Sequence, residues 1–163
     1  MGADSRPEDV HVRPARMDDL DAIVRLIADD ESGLHEDSPD GAGRDAYERA
    51  FREIACDARN ELFVAEASGA VAGTFQLTYM PHIFDGGAER AQLEGIFVAK
   101  DRRGRGIGGA MMAFALDRAR ARGCRTAQLN SNKSRKDAHR FYEASGFVAS
   151  HEGFKAELGG ERS

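Results

Sequence analysis

The residues of this chain whose types and spacing could do chemistry begin with one run, Leu93-Glu94-Gly95-Ile96-Phe97-Val98-Ala99-Lys100-Asp101-Arg102-Arg103-Gly104-Arg105-Gly106-Ile107-Gly108-Gly109. Its first six residues read as a strand, and its glycines open a helix. A helix N-terminus carries unsatisfied N–H groups and the positive end of the dipole, so it attracts anions. Glycine lets the backbone come close to a phosphate. Arg102, Arg103 and Arg105 add cations whose planar forks suit phosphate geometry. The chemistry such a segment offers is capture of a diphosphate. Within the strand, Glu94 is the lone charge among Leu93, Gly95, Ile96, Phe97 and Val98. A charge in an apolar strand needs a reason: an ion pair with an arginine is one, and proton transfer beside the ligand is another.

The diphosphate has more than one source. Gly104-x-Gly106-x-x-Gly109 satisfies the dinucleotide pattern, but Ala99 to Arg103 separate the strand from the first glycine, where that fold wants the glycine directly after the strand. The next strand ends Leu129-Asn130-Ser131-Asn132, without the acid that would hold a ribose. No Gly-Lys-Ser/Thr follows, so the loop is not that of a nucleoside-triphosphate site. A merely solvated basic turn is the bland alternative, and the agreement of glycines, arginines, strand and helix speaks against it. No His, Cys and carboxylate set has metal-ligand spacing, so no metal is expected. Cys56 and Cys124 read as buried, reduced thiols.

The elements that must position these residues follow from hydrophobic period and turn chemistry. Val10–Pro14 reads as a strand ended by its proline, and Leu20, Ile23, Val24 and Ile27 recur at helical spacing behind Asp18 and Asp19. Asp29 to Gly43 reads as a loop, with Asp29, Asp30, Glu31, Glu36, Asp37 and Asp40 and no Lys or Arg. A second helix carries Tyr47, Phe51, Ile54 and Ala58 on one face. Leu62–Ala67 and Val71–Met80 read as a hairpin around Ser68-Gly69, Pro81–Gly87 as a loop, and Leu93–Val98 as a central strand. A helix from Gly106 to Arg122, capped by Gly123, leads to a strand over Arg125–Asn130. Asp137–Ser145 is a short helix stopped by Gly146, and Phe147–His151 and Phe154–Leu158 read as closing strands. The class is α/β in the broad sense, or α+β, with a right-handed parallel crossover from Leu93 to Asn130.

At 163 residues the chain suits one domain spanning 1–163, with residues 1–9 a frayed arm. Its net charge of −5 argues against general binding to nucleic acid or to an anionic membrane. No stretch approaches the ~18 apolar residues of a membrane span. The N-terminus lacks a basic region followed by an apolar one, so a cytoplasmic protein is expected. A homodimer is the default assembly for such a domain.

Arg103-x-x-Gly106-x-Gly108 resembles the acetyl-CoA pyrophosphate motif of the GNAT superfamily of N-acetyltransferases. Ala138-x-x-Phe141-Tyr142-x-x-x-Gly146-Phe147 looks like its second motif, and Val12-Arg13-Pro14-Ala15 followed by Asp18-Asp19-Leu20 is similar to its usual opening. The resemblance implies a mixed, mostly antiparallel sheet of six or seven strands, with a central splayed parallel pair, flanked by roughly four helices. It implies that acetyl-CoA is the co-substrate. Its pantetheine would meet backbone at Ile96, Phe97 and Val98, and its pyrophosphate the amides of Arg103, Gly104, Arg105, Gly106, Ile107 and Gly108, with Gly109 beside them.

Acetyl transfer to an amine needs an acceptor for the amine's proton, a stabilised oxyanion and a proton for the departing thiolate. The motif position assigns the last role to Tyr142, whose bland alternative is a core aromatic beside Ala138 and Phe141. Glu94 is the candidate base, directly or through a water, with His82, His139 and His151 as alternatives. Arg135 stands where many members have Asn, so Asn132 or Ser131 would make that cofactor contact. Gly95 stands where some polyamine acetyltransferases have Asp, which speaks against a polyamine. The acceptor is then a small-molecule or protein amine. The loop from Asp29 to Gly43 would border it, either as an acidic rim that draws a cation or as a solvated loop. An acyl-CoA-binding sensor without turnover is the alternative on the same fold.

Overall fold

The computed structural model describes residues 9–30, 43–156 and 158. The chain falls into two compact units, residues 1–129 and 130–163.

The first unit is built on five strands: β1 (Val10–Pro14), β2 (Asn60–Ala67), β3 (Ala70–Pro81), β4 (Glu89–Val98) and β5 (Thr126–Leu129). They lie side by side in that order. The first four are antiparallel, and β5 runs parallel to β4. Ser68 and Gly69 both take positive φ, at 52° and 76°, the backbone that lets a two-residue turn follow the twist of its strands. Three helices belong to this unit: α1 (Leu20–Ala28), α2 (Arg44–Cys56) and α3 (Ile107–Arg122). Ahead of α1, the Asp19 carboxylate accepts the Arg16 N–H at 2.7 Å and the Arg13 fork at 2.7 and 2.9 Å. These bonds hold the Asp19 carboxyl below its ordinary pKa, against the effect of burial.

The two faces of the sheet differ. Strand alternation and register put Phe63, Phe75, Leu77, Tyr79, Ala91 and Leu93 on one face. There α3 lays its stripe of Ile107, Met111, Met112, Ala115 and Ala119, with Phe114 edge-on to Phe63 at 5.1 Å. Gly73 lets α3 come close, since a Cβ there would sit 2.5 Å from Met111 Sδ and 3.1 Å from the Phe97 carbonyl. On the opposite face, Leu20 and Val24 of α1 and Phe51 of α2 form a cluster over Leu62. Toward β4 that face turns polar, with Gln76 and Thr78 of β3 beside Arg90, Gln92 and Glu94 of β4.

Gly123 ends α3 at φ 89°, and Cys124 N–H bonds the Ala119 carbonyl at 3.0 Å, the glycine stop that the sequence indicates. Elsewhere the boundaries move. β4 begins at Glu89 rather than Leu93, because Arg90 and Gln92 alternate with inward Ala91 and Leu93, and Glu89 to Gln92 continue the ladder against Thr78 to Pro81. Helix α2 stops at Cys56, so Ala58 leaves its face; Asp57 turns the chain by accepting the Arg59 N–H at 2.9 Å. Cys56 is exposed rather than buried, while Cys124 is half-buried and its thiol is pushed up by desolvation. Most of the acidic loop, residues 31–42, and most of the expected arm, residues 1–8, lie outside the described residues.

The second unit contains α4 (Lys136–Ala144). Gly146, at φ 92°, donates to the Glu143 carbonyl at 3.0 Å and Phe147 donates to the Tyr142 carbonyl at 3.0 Å. The Phe147 ring packs edge-on to Tyr142 at 6.3 Å. This is the Schellman stop with its hydrophobic contact, so the Tyr-x-x-x-Gly-Phe spacing is the spacing of a helix terminus. The expected strands Phe147–His151 and Phe154–Leu158 are absent among the described residues, which brings the sheet to five strands rather than six or seven. The Ser150 N–H bonds back to the Val148 carbonyl at 2.9 Å, a tight turn inside the first of them. Val148 and Phe154 are left 81% and 95% exposed, so no packing rewards extension there.

Candidate functional site

The sequence run that suggests chemistry lies wholly in the first unit. β4 and β5 pair from Arg90↔Thr126 to Leu93↔Leu129 and no further. Glu94–Val98 therefore continues with no described strand on the β5 side. On the β3 side the ladder slips: Gln76 faces Glu94 but Thr74 faces Phe97, so Gly95 and Ile96 together oppose Phe75. Gly95 sits at φ 58°, which marks a glycine-initiated bulge. A bulge bends its strand and takes backbone groups out of the ladder. Ile96, Phe97 and Val98, the expected pantetheine contacts, follow it directly. The isolated glycine within a strand pattern was the signal for this bulge.

After β4 the Ala99 N–H anchors to the Ala72 carbonyl at 2.8 Å, and a short turn over Lys100–Arg102 leads to Gly104 (φ 77°) and Gly106 (φ 87°). Ile107, Gly108 and Gly109 form the first helical turn, whose N–H groups have no partner within the helix. Gly104, Arg105 and Gly106 are exposed. A Cβ built on Gly104, Gly106 or Gly109 would meet nothing within 4 Å. Internal packing thus explains none of these glycines. Positive φ explains two of them, and the open space over all three suits a diphosphate brought against the backbone. Arg103 donates from Nε to the Val98 carbonyl at 3.3 Å and its fork lies 4.0 Å from Asp30, at the end of α1. Asp30 lies more than seventy residues before Arg103 in the sequence, so no local spacing marks it as a partner.

Glu94 is exposed, where the apolar run around it suggests a buried position. It forms no ion pair with any described residue, so the arginine anchor is not found. Its side chain shares a face with Gln76, its cross-strand neighbour. His82 follows β3 and donates from Nδ1 to the Met80 carbonyl at 2.8 Å, with its ring 4.5 Å from Phe84.

The same face carries a polar network that sequence reading missed. Thr78 Oγ1 donates to Asn60 Oδ1 at 2.7 Å, and Gln76 Nε2 donates to the same oxygen at 3.1 Å. Gln128 Nε2 donates to Gln92 Oε1 at 2.6 Å. Gln92 Nε2 and Arg90 Nε are closed to solvent and bond to nothing. A buried unsatisfied donor costs about 1–3 kcal/mol.

In the second unit Tyr142 is 8% exposed, in the inward row of α4 with Phe141 at 5.5 Å. Asn132 Oδ1 accepts the Ser134 N–H at 2.9 Å and its hydroxyl at 2.8 Å, and the Asn132 carbonyl bonds His139 Nε2 at 2.9 Å. Asn132 and His139 are thus tied to each other, while Ser131 Oγ is buried and unbonded. His151 bonds Ser150 Oγ at 2.8 Å. Among the described residues no group of three His, Cys, Asp or Glu could hold a metal, and no helix is long and apolar enough to cross a membrane.

With a parallel β4–β5 pair and a glycine turn at the start of α3, the chain belongs to the GNAT acetyltransferase family, whose model, "Acetyltransferase (GNAT) family", matches residues 20–147. It is 29% identical over 157 residues to the aminoalkylphosphonate N-acetyltransferase of Salmonella typhimurium, covering 94% of this chain and 97% of that one. Among solved structures it resembles a protein of Bacillus halodurans described as a transcriptional regulator, at 40% identity and TM-score 0.87, over 91% of this chain and 99% of that one. The fold also matches AAC(6')-Iy in complex with the bisubstrate analog CoA-S-monomethyl-acetylneamine, at 20% identity and TM-score 0.74, over 91% and 97% of the two chains.

Proposed function

We propose that the chain is an enzyme that moves the acetyl group of acetyl-CoA to a small primary amine by direct attack. The observation that carries this reading is the open, arginine-flanked glycine turn of α3 beside the bulged end of β4, where no described strand continues the ladder on the β5 side. Acetyl-CoA would supply the activated acyl carbon and a thiolate leaving group. The amides from Arg103 to Gly109 would hold its pyrophosphate, and the backbone of Ile96, Phe97 and Val98 its pantetheine. Glu94, exposed beyond the last β4–β5 pair, would take the amine's proton directly or through a water. By family resemblance Tyr142 would give a proton to the departing sulfur, and Asn132 would contact the cofactor. The Salmonella relative's name describes an acceptor that is a small amine, which favours this class over a protein amine.

A second reading, an acyl-CoA sensor without turnover, draws on the likeness to the Bacillus halodurans protein described as a transcriptional regulator. One experiment separates the two. Acetyl-CoA at 100 times its dissociation constant should stabilise the protein by roughly 2.7 kcal/mol, with no shift from NAD. Thiol release should then follow addition of an amine panel. Glu94→Gln should lower kcat/KM most at low pH, where free amine is scarce, and recover part of the loss as pH rises. Stabilisation without thiol release for any amine selects the sensor, and stabilisation by NAD alone removes both readings.

A further inference from the structure

Arg90, Gln92 and Glu94 take alternate positions of β4 and so stand on one face of the sheet, the face opposite α3. Their surroundings are unequal. Gln128, beside Gln92 on β5, donates to its Oε1 and leaves the Gln92 Nε2 hydrogens without an acceptor, in a residue only 6% exposed. Arg90 is half-buried, its Nε bonds nothing, and it forms no ion pair with any described residue. By contrast Arg13, Arg118 and Arg122 each meet a carboxylate. Arginine donates from every nitrogen and accepts at none. What both side chains lack is therefore an acceptor, and beside a half-buried cation a negatively charged one fits best.

We propose that this face binds the amine acceptor, and that Arg90 and Gln92 together hold an anionic group of it, a phosphonate, phosphate or carboxylate, while Glu94 faces its amine. The assignment rests on the acetyl-transfer reading. It also uses the chain's charge: a molecule of net charge −5 does not gather anions by its overall field and needs a local cation to keep one. The Cα atoms of Gln92 and Glu94 stand about 7 Å apart along the strand, so acid and amine are separated by two or three carbons. Both unbonded nitrogens are shut from water in the ligand-free chain. The acid enters as the flexible Arg90 stem swings its fork outward.

The test compares 2-aminoethylphosphonate and β-alanine with ethylamine, using wild type, Arg90→Gln, Arg90→Lys and Gln92→Leu. Wild type should prefer the acidic amines in kcat/KM. Arg90→Gln should cut the ratio of acidic to plain amine by about 10- to 100-fold, Gln92→Leu by less, and Arg90→Lys should restore part of it. A merely structural role would lower both rates together and leave the ratio unchanged, which overturns the proposal while sparing acetyl transfer. If no amine turns over, calorimetry of the CoA-loaded protein decides. Binding of 2-aminoethylphosphonate at least 10-fold tighter than ethylamine, lost in Arg90→Gln, keeps the anion site, and equal binding removes it.

Discussion

The two faces of one sheet in the first unit solve opposite problems. Beneath α3, apolar side chains fill the space, and the polar tips at the margin are matched. Tyr79 donates to Glu61 at 2.6 Å, Arg118 Nε donates to the same carboxylate at 3.0 Å, and the Arg122 guanidinium lies 4.0 Å over the Tyr79 ring while its fork meets Glu89. On the other face Asn60, Gln76, Thr78, Gln92 and Gln128 form partial networks and two donors go unmatched. Both faces are made by the same strands, residue by alternate residue. The difference is local to β4: beside α1 the Arg13 donors are matched by Asp19 and Glu66, whereas the Nε of Arg90 and the Nε2 of Gln92 are left for an acceptor from outside the fold.

The comparison breaks most readily at Leu77, which is 0% exposed on the packed face. Leu77→Ala should cost about 2–5 kcal/mol in denaturant unfolding. A loss no larger than that of a surface substitution would mean the α3 face is not the core. A smaller effect is expected at Glu61. Burial raises its carboxyl, but the bonds from Arg118 and Tyr79 outweigh that and leave it below its ordinary pKa. Its contribution is therefore full above the unfolded-state pKa, about 4.3, and is lost as pH falls through the lower folded value. Glu61→Gln should reduce stability at pH 7 by about 1–2 kcal/mol, and the gap to wild type should close in acid. A gap that stays constant down to acid pH would place the loss in packing rather than charge. The smallest effect belongs to Gln92→Leu. It removes an unsatisfied donor, and Gln128 is partly exposed and can turn to water, so stability should stay within about 1 kcal/mol of wild type or rise. A loss as large as that of Leu77→Ala would make Gln92 a structural residue and erase the contrast between faces.

The packed face was the more legible in the sequence. The stripe from Ile107 to Ala119 shows a helical period, Gly123 is a glycine stop, and the hairpin is announced by Ser68-Gly69. Each signal is local. The start of β4 is harder to see, because Glu89, Arg90 and Gln92 look like loop composition until one knows that Arg90 and Gln92 share a polar face and that Glu89 meets Arg122. The strands expected over Phe147–His151 and Phe154–Leu158 rest on apolar alternation, which describes extension only where a neighbour supplies hydrogen bonds. At the site, the glycine turn and Glu94 could be picked out by type and spacing. Glu94's exposure and the unmatched nitrogens of Arg90 and Gln92 could not, because each depends on which residues of neighbouring strands stand beside them. The Tyr142, Gly146 and Phe147 spacing matches a family motif, and its immediate cause is a helix cap.

The brevity of β5 has a consequence for the order in which the molecule is made. β2, β3 and β4 form a meander closed by short connections, and such local closures are fast. β5 reaches the sheet only after α3 has been laid down, and four residues hold it there. Strands tied by so few bonds open at low free energy. The amides of Thr126–Leu129 should exchange with solvent ahead of those in the meander, so the parallel edge of the sheet is the last part to assemble and the first to loosen.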